Sequence, residues 1–310
     1  EDRKANGTAN TTTVTYTYDK QNQLVSARYS GSTTDTISYT YDTAGNILTE
    51  GHGGVITRDY TYAYNDASTS NDAWHDLLVA ADGHAITYDG SGNPLTYYNG
   101  YKTFTSLTWE QGRQLASVTT GGKTTSYTYD ADGIRKTKSV PINRHGLTCT
   151  YTFVKQNGKV VRQSWRTESI DFFYDESGRP FAMTYQSAND APQTYYYVLN
   201  LQGDVVKLVD VSGAEVASYE YDAWGNVLSQ SGSMASTNPL RYRGYYYDSE
   251  TGFYYLQSRY YDPANRRFIN ADSYAGTGQG ILGYNMFAYC SNNPVRRVDS
   301  AGCWWGEDAW

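Results

Sequence analysis

An all-β chain of repeated hairpins is predicted by three observations. A short Tyr-x-Tyr-Asp phrase returns along most of the 310 residues, glycine and often asparagine follow most returns, and aliphatic residues are scarce. Leu, Ile, Val and Phe make up about 16% of the chain, below the rough 20% level at which disorder becomes the default reading. The 33 Tyr and 7 Trp reverse that reading, because aromatic side chains favour strands and each buries roughly 150–250 Å². With a formal net charge of -7 and no basic cluster, nucleic-acid binding is not expected. No apolar run approaches the roughly 20 residues of a membrane-spanning helix.

The phrase stands at Tyr16-Thr17-Tyr18-Asp19, Tyr39-Thr40-Tyr41-Asp42, Thr87-Tyr88-Asp89, Tyr127-Thr128-Tyr129-Asp130, Phe173-Tyr174-Asp175 and Tyr219-Glu220-Tyr221-Asp222. Its aspartates are 23, 47, 41, 45 and 47 residues apart, so most intervals are about twice the first, as if alternate copies have decayed. Thr108-Trp109-Glu110 and Tyr62-Ala63-Tyr64-Asn65 read as two such copies. Alternation of Tyr with Thr or Glu has period 2 and marks a strand with one apolar face. Asp-x-x-Gly-Asn is turn chemistry: Asp bonds the backbone two residues on, and Gly accepts positive φ. Ile47-Leu48 or Val227-Leu228 then resumes a strand, making each copy a hairpin corner. Single hairpins are marginal alone, so the copies are expected to pair side by side in one long sheet, with almost no helix before residue 230. Asp42, Asp89, Asp130, Asp175 and Asp222 are expected to form turns and not to bind calcium, which needs about six to eight oxygens.

From about Asn238 the texture changes. Leu240-Arg241-Tyr242-Arg243-Gly244, Glu250-Thr251-Gly252, Arg259-Tyr260-Tyr261-Asp262-Pro263, Arg267-Phe268-Ile269-Asn270-Ala271-Asp272 and Asn293-Pro294 leading to Val298-Asp299-Ser300-Ala301-Gly302 follow in order. Ile281 to Cys290 is expected to form one short helix. Cys149, Cys290 and Cys303 show no C-x-x-C spacing, so neither a disulfide framework nor a zinc site is expected. None of the four histidines, His52, His75, His84 and His145, is near Cys290 or Cys303 in sequence. No cofactor-binding motif is present.

On these residues the chain resembles the Rhs or YD-repeat family, closing with an Rhs repeat-associated core. The expected divisions are a repeat sheet over 1–237, a small mixed core domain over 238–302, and the start of a variable region over 303–310. The resemblance implies a spiralled sheet that closes into part of a hollow shell, with the core as an inward plug. It implies a secreted or cell-surface bacterial protein that encapsulates and delivers its own C-terminal toxin or effector. It also implies an aspartic self-protease, its arginine falling on Arg259, its aspartates on Asp272 and Asp299, and its cut within Gly302, Cys303 and Trp304. Ser273 and Ser300 stand where the self-cleaving members carry proline, and Cys303 where they carry leucine.

The residues themselves leave plainer readings open. Asp272 and Asp299 can be turn formers, and Arg259 can be a structural arginine stacked among tyrosines and paired with Asp248 or Asp262. The alternative function is a non-catalytic wall-associated or adhesive protein presenting this sheet to cell-surface glycans, with Trp109, Trp165 or Trp224 exposed for stacking on sugars. An unpaired strand near the amino end is expected to promote association.

Overall fold

The computed structural model describes residues 2–5, 8–11, 13–30, 35–65, 74–142, 147–273 and 281–303. At each corner the aspartate organises the turn. Asp42 Oδ1 accepts from the backbone N–H of Ala44 (2.9 Å) and Asn46 (2.8 Å), and Asn46 Nδ2 donates to Asp42 Oδ2 (2.9 Å). Gly45, at φ +80°, supplies the left-handed residue that lets the chain reverse. Asp89 and Asp222 repeat the full arrangement, and at Asp130 and Asp175 the same Oδ1 caps the residue four positions on. All five expected turns are formed. Two more corners, at Asn200 and Asp210, escaped the sequence reading. Asn200 exchanges acid and amide with Asp204, and Asp210 follows Val209 where the phrase has Tyr.

The period-2 strands bury one face. Tyr39 is buried while Thr40 points outward, where its hydroxyl meets that of Thr49 across the strands at 2.7 Å. Thr17–Ser26, Thr87–Thr96, Thr108–Ser117 and Thr128–Thr137 pair likewise. The second aromatic of the phrase has its own task. Tyr41, Tyr88, Tyr129, Tyr174 and Tyr221 each donate their hydroxyl to a backbone carbonyl of an earlier strand, at Leu24, Leu78, Leu115, Val160 and Val205. Trp109 does the same through Nε1 to the Pro94 carbonyl (2.7 Å), so this decayed copy keeps the function of the tyrosine it replaces.

Strand order follows chain order throughout, and every pairing is antiparallel. A seven-stranded sheet runs from Val14–Tyr18 to His84–Ala85, and a fourteen-stranded sheet from Thr87–Tyr88 to Val227–Ser231. Asp2–Ala5 pairs with Thr8–Thr11 as a separate ribbon. A four-stranded sheet of Tyr246–Asp248, Phe253–Tyr255, Tyr260–Asp262 and Arg267–Phe268 follows. Before residue 230 the described helix is one turn of 3-10 at Ala63–Asn65.

The long meander curls around the four-stranded sheet. Asn292 reaches Gln23, Arg58 reaches the Ala264 carbonyl, Tyr97 reaches Asp262, and Asn226 reaches the Pro263 carbonyl. Tyr39 and Trp224 meet edge-on at 5.8 Å, bringing an early strand against the last corner. Closure of this kind buries Trp224 completely, which removes it as an exposed sugar platform.

One expected element is different. Ile281 to Cys290 is not one helix; two 3-10 turns, Ile281–Tyr284 and Cys290–Asn292, flank a turn at Met286 and Phe287 and a single bridge at Ala288. Asn285 Oδ1 caps the N–H groups of Phe287 and Ala288, and Ala288 bridges to Arg267, so the backbone is spent on the core and not on helical bonds.

Candidate functional site

Arg259 enters the strand Tyr260–Asp262 just after Gln257, which turns the chain at φ +66°. Its guanidinium is buried and lies 3.5 Å from the centroid of the Phe268 ring. Phe268 belongs to the neighbouring strand, so strand pairing sets where this cation sits.

The same guanidinium gathers both candidate carboxylates. Nη2 lies 2.8 Å from Asp272 Oδ2 and 3.5 Å from Asp299 Oδ2. Nη1 donates to the Met286 carbonyl (2.9 Å), and Nε donates to the Gly302 carbonyl. Asp272 is held by its own N–H, which donates to the Met286 carbonyl, and Asp299 by its N–H, which donates to Tyr245 Oη. Asp299 Oδ1 accepts from the N–H groups of Ala301 (3.3 Å), Gly302 (2.7 Å) and Cys303 (3.2 Å). Ser258, which the sequence reading did not single out, donates its hydroxyl to the Ala301 carbonyl (2.8 Å). Gly302 needs to be glycine here: its φ is +76°, and a Cβ would stand 2.7 Å from the Leu256 carbonyl oxygen.

Arg259, Asp272, Asp299, Gly302 and Cys303 therefore come together, and Trp304 lies outside the described residues. Burial pushes the Arg259 guanidinium below its usual range although both carboxylates act the other way. Burial, then Asp299 and Asp272, push the Cys303 thiol up, which keeps it protonated and a poor nucleophile.

Arg259 does not pair with Asp248 or Asp262. Asp248 is taken by Arg135 and Lys138, and Asp262 accepts from Tyr97 Oη (3.0 Å) and from the Ala264 N–H. Asp248 and Asp262 stand on strands separated by Phe253–Tyr255 and have their own partners, which leaves Arg259 to the chain that follows the core. His52 bonds Glu50, His75 lies against Tyr64, and His84 stacks on Tyr98, while His145 lies outside the described residues. Trp109 is half-buried, and Trp165 stacks on Tyr185. Among the described residues no three His, Cys, Asp or Glu side chains are grouped to hold a metal ion, and no helix is long and apolar enough to cross a membrane.

The crystal structure of TcdB2-TccC3 without its hypervariable C-terminal region resembles the chain at a TM-score of 0.69 with 22% identity, covering 93% of this chain and 15% of that one. The Tc holotoxin pore of Photorhabdus luminescens matches at 0.66 with the same identity and coverage, and both likenesses concern the fold. The tRNA3(Ser)-specific nuclease WapA of Bacillus spizizenii is 34% identical over 233 residues, 73% of this chain. The double-stranded DNA deaminase toxin A of Burkholderia cenocepacia is 27% identical over 255 residues, 74% of the chain. The chain spans 9% of the WapA protein and 17% of the deaminase toxin. A model described as the teneurin YD-shell matches residues 2–295. With its repeated corners, its curled antiparallel sheet and this match over nearly its whole length, the chain belongs to the teneurin YD-shell family of YD-repeat (Rhs) proteins.

Proposed function

We propose that the chain is part of a secreted or cell-surface bacterial shell that packages its own C-terminal effector and frees it by one hydrolytic cut between Gly302 and Cys303. The observation that carries this reading is the bond from Arg259 Nε to the Gly302 carbonyl, made by the guanidinium that also holds Asp272 and Asp299. In this reading residues 1–237 are the shell wall, 238–302 the core plug, and 303–310 the first residues of the released part. The nuclease and toxin names of the WapA and deaminase relatives support an effector as the cargo.

The chemistry is amide hydrolysis. The guanidinium of Arg259 brings both carboxyls and the Gly302 carbonyl to one place. Asp299, which accepts three backbone N–H bonds, that of Cys303 among them, is the base in this reading. It takes a proton from water as the water oxygen bonds to the Gly302 carbonyl carbon, while Arg259 Nε–H, its guanidinium oriented by Asp272, stabilises the oxyanion. The C–N bond then breaks as Asp299 passes that proton to the Cys303 nitrogen, 3.2 Å away. The products are the Gly302 carboxyl and the Cys303 amine. Because the acid and the bond lie four residues apart in one chain, encounter costs no entropy, and each molecule reacts once.

Intact mass of the chain with its natural continuation is expected to show two species that sum to the whole plus one water. Asp299→Asn and Asp272→Asn are expected to slow the cut about 100-fold or more. A folded wild-type chain that stays whole would overturn the protease reading. One observation favours a second reading in that case. Asp299 caps the N–H groups of the residues after it much as Asp42 does at a hairpin corner, which supports a non-catalytic wall or surface shell that presents its sheet to glycans.

A further inference from the structure

A cavity of about 580 Å³ opens between two hairpin corners, at Gly158 and Gly178, and the core segment Tyr255 to Gln257. That is the size range of small-molecule sites. Lys155, Lys159, Arg179 and Arg243 line it, and among the described residues no carboxylate does. Two of these cations are already committed. Arg243 donates to the Gln202 and Pro294 carbonyls and lies 3.8 Å from Asp204, and Arg179 pairs with Asp175 at 3.1 Å. The two lysines are not. Lys155 Nζ sits 5.0 Å from the Tyr255 ring centroid and 3.5 Å from its hydroxyl, and Lys159 Nζ sits 5.3 Å from the Tyr174 ring centroid. Among the described residues neither amine has an ion-pair partner.

Such an arrangement is costly when the cavity is empty. Burial pushes the Lys155 amine down to about 7, with Arg135 adding to the effect and Asp130 opposing it. Burial also lowers Lys159, against Asp175. An anion in the cavity would supply the missing countercharge and favour the ammonium form of both lysines, in surroundings where a charge-assisted hydrogen bond is stronger than in water. The tyrosine faces at Tyr174 and Tyr255 offer apolar contact beside it.

We propose that this cavity is a binding site for a small ligand bearing an oxyanion, held by the amines of Lys155 and Lys159 with its apolar part against Tyr174 and Tyr255. This site shares part of its wall with the segment that carries the proposed cut, through Tyr245, Leu256, Val298 and Ser300, and its binding can be tested whether or not the cut occurs. The oxyanion can be a phosphate, a sulfate or a sugar carboxylate, and the tightest of three probes tells which.

The test is calorimetric titration of the whole chain with inorganic phosphate, sulfate and glucuronate at about pH 6 and about pH 8.5. Saturable binding is expected for at least one probe. Its affinity should fall at least about 10-fold at the higher pH, with proton uptake near neutral pH as Lys155 becomes charged. Lys155→Gln with Lys159→Gln should weaken binding at least about 10-fold, whereas Lys207→Gln, on an exposed lysine paired with Glu215, should leave it unchanged. Absence of saturable binding, or equal binding by the double variant, would overturn the site. Should the double variant unfold, side-chain NMR of the wild-type lysines decides the matter. The bound probe must raise the titration midpoint of Lys155, and a midpoint that does not move counts against the proposal.

Discussion

Asp248 and Asp262 are both fully buried, and their surroundings treat them in opposite ways. Burial opposes ionisation at Asp248, but Arg135 (2.5 Å) and Lys138 (2.8 Å) outweigh it and hold the carboxyl below its usual range. Arg135 is itself enclosed by Tyr127, Phe153, Tyr246, Tyr255 and Tyr260, so this ion pair joins the wall to the core. Asp262 meets no cation at contact distance among the described residues, and burial raises it to about 6. Its folded value is above the unfolded one, so the folded state binds the proton more tightly. The stabilisation is present in full below about pH 4 and is lost as pH rises through about 6. Asp262→Asn mimics the protonated form. It is expected to change little near pH 4 and to stabilise the protein by on the order of 3 kcal/mol at pH 7, read from chemical denaturation at both pH values.

The element that repeats is the corner, and its worth can be measured at Asp42. Removing that side chain strands the N–H groups of Ala44 and Asn46 and leaves the Asn46 amide nitrogen with Asp76 as its acceptor. Asp42→Ala is expected to cost about 2 kcal/mol. Asp42→Asn should cost clearly less, because Asn200 caps its own corner with the same two N–H bonds. Equal losses for the two variants in thermal or urea unfolding would show that charge, and not turn geometry, is what the corner needs. Most of this element was legible in the sequence because every part of it is local: Asp, the residue two on, Gly and Asn lie within five positions. The corner at Asn200 was not, because its two polar residues carry the same bonds in reversed order.

At the scale of the whole molecule, the meander leaves strands with one free side. Val14–Tyr18 pairs with Leu24–Tyr29 and, among the described residues, with no other strand. An open edge of Thr and Tyr is a template for another chain. Self-association is therefore expected to grow with concentration in light scattering, and Thr15→Lys, at an exposed position of that strand, to suppress it without lowering stability. Association unchanged by this substitution would place the contact elsewhere.

Local chemistry written in the sequence was sufficient for the strands, most of the corners and their order, since period 2 and turn residues act over a few positions. The motifs after Asn238 likewise marked Arg259, Asp272 and Asp299 as candidates. Their meeting at one guanidinium, and the Gly302 carbonyl held against it, came from packing of Arg259 on Phe268 and from the chain turning back past Ser258. Packing also took Trp224 out of solvent and replaced the helix after Ile281 by two short turns. These outcomes depend on contacts between residues far apart in the chain, such as Tyr39 on Trp224, and such contacts leave no periodic mark in the chain that makes them.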